Sequence, residues 1–151
     1  MSTTERVPSG TLLLRTLAMP SDTNANGDIF GGWIMSQMDI GGAILANEIA
    51  HRRVVTVHVN NITFHKPVSV GDIVCCYGRC TRVGNTSLQI EVEVWVKHAF
   101  RDFVSKRDLV TEAVFTYVAI DEYGKPYPIP KENNVELEQA LQMIKQHQDK
   151  E

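Results

Sequence analysis

One carboxylate, Asp39, lies in an otherwise apolar segment rich in Met, Ile, Gly and Ala. An acid in such surroundings is expected to be paired with a neighbour or perturbed in its protonation, as catalytic acids commonly are. The segment follows a loop from Thr23 to Trp33 that is rich in Asn, Asp and Gly and can turn sharply. Because a helix that begins after such a loop directs backbone N–H groups and partial positive charge outward, we expect a site for a carbonyl oxygen or an anion.

The length, composition, net charge and cysteine spacing of the chain restrict the classes of protein to which it can belong. A chain of 151 residues with 43% hydrophobic content predicts one domain with a substantial core. A net charge of −3 predicts no general attraction to nucleic acid or acidic membranes. The polar N-terminus and the lack of a run of about 18 apolar residues predict neither a signal peptide nor membrane insertion. The three cysteines, Cys75, Cys76 and Cys80, have neither disulfide-framework nor zinc-site spacing, which favours reduced thiols in the cytoplasm.

Hydrophobic periodicity predicts one long helix among several strands. The helix runs from Gly31 to about Ala50, and its apolar positions cover most of its circumference, as in a core helix wrapped by a sheet. The pair Gly41 and Gly42 in its interior costs roughly 1 kcal/mol per glycine relative to Ala, so a close approach by another segment or a ligand is expected. Apolar and β-branched runs predict strands at Leu12 to Ala18, Val54 to Phe64, Ile73 to Val83, Leu88 to Lys97 and Leu109 to Ile120.

Two local patterns give finer predictions. The strict alternation of residues 88–97 predicts a strand with one buried and one solvated face. Asn133, followed three residues later by Glu136, suits a capping box that starts a short amphipathic helix over about residues 133–147. Together the elements give a single α+β domain over residues 1–151, with a core over about residues 11–130.

Several ordered motifs resemble the YciA-type acyl-CoA thioesterases of the hotdog-fold superfamily, over nearly the whole chain. A glycine pair alone would be weak evidence, whereas an ordered set at these separations is specific. The motifs are Leu14-Arg15-Thr16-Leu17-Ala18-Met19-Pro20, Asp22-Thr23-Asn24, Gly27-Asp28-Ile29-Phe30-Gly31-Gly32-Trp33, Met38-Asp39-Ile40-Gly41-Gly42-Ala43, Phe64-His65-Lys66-Pro67-Val68 and Val70-Gly71-Asp72.

The resemblance implies a hotdog fold, in which an antiparallel sheet curls around a long central helix. It also implies a homodimer whose sheets join edge to edge, active sites at the interface, and a higher assembly such as a trimer of dimers. The substrate it implies is acyl-CoA, with broad acyl specificity, and CoA then belongs to substrate and product, so no cofactor is expected.

Thioester hydrolysis passes through a tetrahedral oxyanion, so it needs preorganised donors, a water or nucleophile, and a base. The candidate donors are the backbone N–H groups of Gly31 and Gly32 at the helix start. Asp39 is the candidate base that deprotonates water, or else a nucleophile that attacks the thioester carbon to give a transient anhydride. The sequence leaves both roles open.

A second acid, Asp28, precedes the helix. In the family, the acid on the central helix of one subunit works with a residue of the loop before the helix of its partner, and that position falls on Asp28. Two carboxylates at one site would couple, and one could retain a proton. The structural alternative, that Asp28 caps the helix N-terminus, is compatible with the catalytic role.

The expected substrate contacts come from family position. CoA carries phosphates and a pantetheine arm, so cationic side chains and strand-edge groups at a cleft mouth suit it. The candidates are Lys66, Arg82, Thr86 and Ser87, with solvated surface charge and ordinary turn hydroxyls as the alternative interpretation. No metal is expected: His51, His58 and His65 are evenly spaced, but seven residues in a strand reverse the face.

Two other functions remain open. A hotdog dehydratase or hydratase would pair the acid with a histidine on the same loop, but no histidine occurs between Met1 and Ala50. A non-catalytic CoA-binding or acyl-CoA-binding regulator would keep the pocket without needing Asp39.

Overall fold

The fold consists of one antiparallel sheet and two α-helices. It was obtained as a computed structural model that describes residues 6–98 and 106–150. The elements are β1 (Thr11–Leu17), α1 (Gly31–Ala50), β2 (Val54–Phe64), β3 (Ile73–Val83), β4 (Ser87–Lys97), β5 (Arg107–Ala119) and α2 (Val135–Asp149). The predicted α1, β2 and β3 are confirmed to the residue, and the other elements differ from prediction by one or two residues at their ends.

The strand order explains which parts of the sheet remain available for contacts. Among the described residues the order is β1-β3-β4-β5-β2, with every pairing antiparallel. Therefore β1 and β2 are the edge strands, and α1 packs across one face of the sheet. The edge strand β2 stays largely exposed in the single chain, with Val55 40% and Val57 55% exposed. An exposed, apolar edge of this kind is normally covered by another chain.

The central helix α1 is enclosed on one side only. As predicted, other segments approach the helix closely at its two interior glycines. Gly41 packs against Leu13 and Leu14 of β1, and a Cβ on Gly42 would overlap the hydroxyl of Tyr117. The expectation of burial around most of the circumference is wrong for the isolated chain, because Ile40 and Ile44 remain 52% and 42% exposed. The sheet covers one side of the helix and leaves this second apolar stripe open.

The prediction of a solvated outer face for β4 is wrong in the second half of the strand. Glu93 and Trp95 are 2% and 3% exposed. The segment before β1 contacts Glu93: Arg6 Nη2 lies 2.8 Å from Glu93 Oε2, and Ser9 N–H donates to Glu93 Oε1 at 3.0 Å. The indole of Trp95 also donates to Glu93, at 3.0 Å. A paired carboxylate can be buried there because each of its oxygens has a donor.

The three cysteines, Cys75, Cys76 and Cys80, are buried free thiols, as expected. Burial raises the pKa of Cys76 to about 12 and that of Cys80 to about 11. These two thiols therefore stay protonated near neutral pH and serve as small apolar side chains of the core.

The C-terminal helix starts one residue later than the capping pattern predicted. The N-cap of α2 is Asn134, whose side chain accepts from Leu137 N–H at 3.0 Å, whereas Asn133 has φ = 55° and is exposed. The Asn134 amide also donates to the carbonyls of Ile49 and Pro130, both at 2.8 Å. Because these bonds are buried and reach the end of α1, tertiary contacts decided which asparagine became the cap.

The substitution Asn134→Ala should lower the free energy of unfolding by about 2–4 kcal/mol, because it removes a cap and takes the amide donor from the Ile49 carbonyl, in a buried bond, and from the Pro130 carbonyl, in a part-buried one. Denaturant titration followed by circular dichroism measures this. The matched control Asn133→Gly should stay within roughly 0.5 kcal/mol of wild type, since glycine tolerates positive φ. Equal losses for both variants would show that Asn134 is not the structural cap.

Candidate active site

The candidate catalytic acid, Asp39, is held by two hydroxyl groups from neighbouring strands. Thr56 Oγ1 on β2 donates to Asp39 Oδ1 at 2.6 Å, and the hydroxyl of Tyr117 on β5 lies 3.2 Å from the same oxygen. Thr56 and Tyr117 face each other across the β2–β5 ladder, so one point of the sheet supplies both contacts. The expectation that Asp39 is paired is therefore confirmed. The second carboxylate oxygen, Oδ2, has no hydrogen-bond partner within the described residues.

Tyr117 remains a hydrogen-bond donor throughout the useful pH range. Its side chain is fully buried, and its hydroxyl also lies 2.8 Å from the main-chain carbonyl of Asp39. Burial raises the pKa of Tyr117 far above its ordinary value, and the neighbouring Asp39 carboxylate adds to the effect.

The start of α1 presents unpaired backbone donors. Phe30 is the N-cap residue and makes no side-chain capping bond. In the described part of the chain no hydrogen bond occupies the N–H groups of Gly31 and Gly32. The loop before them is fixed by Phe30 N–H donating to the Asp22 carbonyl at 3.0 Å and by Ile29 N–H donating to Val68 at 3.1 Å. The geometry suits an oxyanion, because free N–H groups at a helix start are ordered before a ligand arrives.

Asp28 is exposed, and the alternative that it caps α1 is wrong, because the cap position belongs to Phe30. The backbone around it is ordered by Asn24, whose side-chain oxygen accepts from Asn26 N–H at 2.9 Å and from Asp28 N–H at 3.2 Å. The carboxylate of Asp28 has no partner among the described residues. It is therefore available to a group outside this chain.

The acid and the donors of one chain do not meet. Asp39 follows Gly31 by eight residues, and a rise of 1.5 Å per residue separates them by about 12 Å along the helix axis. A base acting on water, and an oxyanion donor acting on the same carbonyl, must both lie within about 3 Å of the reacting atoms. One chain thus carries the two halves of a hydrolytic site but cannot assemble them on one thioester.

Lys66 lies near the helix start. It lines an open cavity of about 350 Å³ together with Gly31 and Phe64. Its amine is 3.2 Å from Asp108 Oδ1, and His98 connects that carboxylate to Asp72 through contacts of 3.3 Å and 2.8 Å. Lys66, the candidate side chain for binding a CoA phosphate, therefore belongs to a small ionic network that fixes its position.

The other candidate substrate contacts lie elsewhere. Arg82, Thr86 and Ser87 surround the β3–β4 hairpin, and Arg82 is exposed. Arg82 pairs with Gln89 on β4, and Gln89 pairs with Thr116 on β5. Thr116 lies eight residues along β5 from Asp108, the residue that holds Lys66. At about 3.3 Å per residue, Lys66 and Arg82 of one chain lie roughly 25 Å apart along the sheet. They do not form one nucleotide site within a single chain.

Thr56 and Tyr117 could not be recognised as site residues from the sequence, because a threonine and a tyrosine are ordinary residues in strands. Only the pairing of β2 with β5, and the packing of α1 on that pair, bring them to Asp39.

The described residues contain neither of two other kinds of site, a metal centre or a membrane-spanning helix. In residues 6–98 and 106–150 there is no cluster of three or more metal-ligating side chains. Within those same ranges, neither helix has the length and apolarity needed to cross a membrane.

An antiparallel sheet packed against one long central helix has the architecture of the hotdog-fold thioesterases. A family profile described as the thioesterase superfamily matches residues 26–99. The acyl-CoA thioester hydrolase YciA of Escherichia coli K12 is 64% identical over 132 residues, which cover 87% of this chain and 100% of the relative. An uncharacterized acyl-CoA thioester hydrolase of Haemophilus influenzae is 66% identical over 139 residues, covering 92% and 90%. The chain belongs to this family of acyl-CoA thioester hydrolases.

Solved structures agree in fold. HI0827, described as a hexameric broad specificity acyl-coenzyme A thioesterase, superimposes with a TM-score of 0.88 at 65% identity, covering 93% of this chain and 95% of its own. The hexameric thioesterase y2039 of Yersinia pestis gives 0.78 at 63% identity, covering 83% and 99%. The hotdog-fold prediction is confirmed.

The His98 network makes stability depend on pH. The hydrogen bond to Asp72 raises the pKa of His98 above its ordinary value, although partial burial opposes this. A raised pKa means that the stabilisation is complete below the unfolded pKa of about 6.5 and is lost as the pH rises through the folded value. The melting-temperature difference between wild type and His98→Gln should therefore be larger at about pH 6 than at about pH 9. Equal differences in thermal melts at both pH values would contradict this.

Proposed function

We propose that this chain hydrolyses acyl-CoA thioesters to free CoA and a carboxylic acid. The observation that carries the proposal is the Asp39 carboxylate, anchored through one oxygen by Thr56 and unpaired at the other, in a chain whose close relatives are acyl-CoA thioester hydrolases. Free N–H groups at the start of α1 supply the electrostatic part of the same chemistry.

In the proposed reaction Asp39 takes a proton from water as the water oxygen attacks the thioester carbon. The carbonyl oxygen becomes an oxyanion and accepts hydrogen bonds from Gly31 and Gly32. When the intermediate collapses, the C–S bond breaks and the CoA thiolate leaves. The alternative, in which Asp39 attacks the carbon and water then hydrolyses the anhydride, uses the same contacts.

The productive site is proposed to form between two copies of the chain. The separation of about 12 Å along α1 requires that the acid and the donors come from different subunits. The exposed edge of β2 and the exposed Ile40 and Ile44 on α1 offer a contiguous apolar surface for such a partner. The hexameric state of the structural neighbours supports a homodimer that assembles further into a trimer of dimers. In this arrangement the exposed Asp28 of one subunit meets the Asp39 site of the other.

Dimer formation also bears on CoA binding. If β2 pairs antiparallel with its copy, opposite ends of the two sheets come together, so Lys66 of one subunit approaches the end that carries Arg82, Thr86 and Ser87 in the other. We propose these residues as CoA contacts on that basis, with broad acyl specificity and no cofactor. The three free thiols support a reducing compartment, the cytoplasm.

The substitution Asp39→Asn should lower kcat by on the order of 10²-fold or more while CoA binding is largely retained, because a general base contributes about 10² to 10⁴. Release of CoA thiol from a panel of acyl-CoAs measures turnover, and calorimetry measures binding. The matched control is Glu48→Gln, an exposed acid of the same helix, which should keep wild-type activity. Wild-type kcat in Asp39→Asn would contradict the role of Asp39 as the base, whereas no thiol release by the wild-type protein would favour a binding regulator over a hydrolase.

Mixed dimers test whether the site is shared. With Asp39→Asn in one chain and Asp28→Ala in the other, a shared site leaves one of the two sites of each heterodimer intact. Co-expression with two different tags and tandem purification should therefore recover activity that neither single variant has.

The control pairs wild type with the double variant Asp28→Ala/Asp39→Asn. In a shared site this heterodimer has one defect in each site and is inactive, whereas sites contained within single chains would leave one site working. Activity in this control, together with none in the mixed single variants, would sink the shared-site proposal.

A further inference from the structure

We propose that Tyr117 is a positioning residue for Asp39, whose hydroxyl, together with Thr56, holds oxygen Oδ1 and leaves Oδ2 as the oxygen that takes the proton from water. The inference rests on the proposed hydrolytic role of Asp39. It adds to that role a buried residue that does not touch the substrate.

The contacts define one orientation of the carboxylate. The Tyr117 hydroxyl is 2.8 Å from the main-chain carbonyl of Asp39 and 3.2 Å from its Oδ1. A single phenolic hydrogen shared between these acceptors ties the side chain of Asp39 to its own backbone. With Thr56 on the same Oδ1 at 2.6 Å, rotation of the carboxylate would break bonds on one oxygen without gaining any on the other.

Tyr117 is itself held rigidly. Its side chain has no solvent exposure, and its ring stacks on Phe115 with centroids 6.2 Å apart and an interplanar angle of 15°. The hydroxyl occupies the space left by the missing side chain of Gly42, where a Cβ would overlap it. The glycine that weakens the interior of α1 therefore makes room for the group that orients the acid.

The arrangement suits a base whose geometry must be fixed before the substrate arrives. The neutral phenol of Tyr117 donates a charge-assisted hydrogen bond to the carboxylate of Asp39. Because Oδ2 has no partner in the described part of the chain, it can accept the proton without first losing a bond. The two oxygens of the Asp39 carboxylate thus have different roles: Oδ1 accepts the hydrogen bond from Tyr117, and Oδ2 accepts the proton from water.

The test is Tyr117→Phe, which removes the hydroxyl and keeps the ring. We expect kcat to fall by roughly tenfold, because misorientation of a catalytic group slows the chemical step, while KM for acyl-CoA stays unchanged. A purely structural role would lower the melting temperature without lowering kcat selectively over KM.

The chain contains a matched control. Tyr77 is 8% exposed, accepts a hydrogen bond from Arg107 at 2.9 Å, and packs in the separate cluster with Cys75 and Trp95. Tyr77→Phe makes the same chemical change in a buried tyrosine that does not touch Asp39. It should retain wild-type kcat and wild-type KM.

A second variant, at Gly42, tests whether the position of the Tyr117 hydroxyl affects catalysis. Gly42→Ala should displace the Tyr117 hydroxyl and lower kcat in the same way. In the Tyr117→Phe background the oxygen is absent and the Cβ meets only ring carbons, at 3.1 Å. Adding Gly42→Ala there should therefore cause a smaller loss than in wild type, and the two effects should be non-additive. Additive losses would show that the variants act independently.

Asp39→Asn, measured in parallel, separates this inference from the proposed function. If Asp39→Asn is inactive while Tyr117→Phe has wild-type kcat and KM, the positioning role is overturned and the proposed function stands. If Asp39→Asn keeps wild-type kcat, the roles of Asp39 and Tyr117 both fall. If the wild-type protein releases no CoA thiol, the proposed function itself falls.

Discussion

The rise of the α-helix is the constraint on which the rest of the site depends. Asp39 and the free N–H groups at Gly31 and Gly32 belong to one helix, and their separation along its axis is fixed by backbone hydrogen bonds that no side-chain movement can shorten. A long central helix therefore cannot place its own start and its own acid on one carbonyl carbon. The open β2 edge and the uncovered stripe of α1 are the features that allow a second chain to complete the geometry.

Much of the fold could be predicted because turn residues interrupt the hydrophobic periodicity. Pro67 follows β2, Gly84 follows β3, and a loop rich in glycine precedes α1, so these boundaries agree closely with the sequence pattern. The glycine pair in α1 correctly indicated close approach by another segment. These features depend on residues that are close together in the sequence, so the sequence alone was enough to predict them.

The features that could not be predicted depend on contacts between distant residues. Glu93 continues an alternating pattern that predicts exposure, but Arg6, more than eighty residues earlier, covers and pairs it. Asn133 and Asn134 are chemically identical, and the distance to the end of α1 decides which one caps α2. Thr56 and Tyr117 became part of the site only through strand order. In each case the deciding partner lies outside the local pattern.

The pairing of Arg6 with Glu93 also bears on how this protein can be engineered. The described residues before β1, 6–10, form no helix or strand, yet they supply two of the donors to a carboxylate in the outer face of the sheet. Trimming it would leave a buried charge without its counter-ion, a strongly destabilising change. For fusion tags and minimal-domain designs, Arg6 and Ser9 therefore belong to the folded unit.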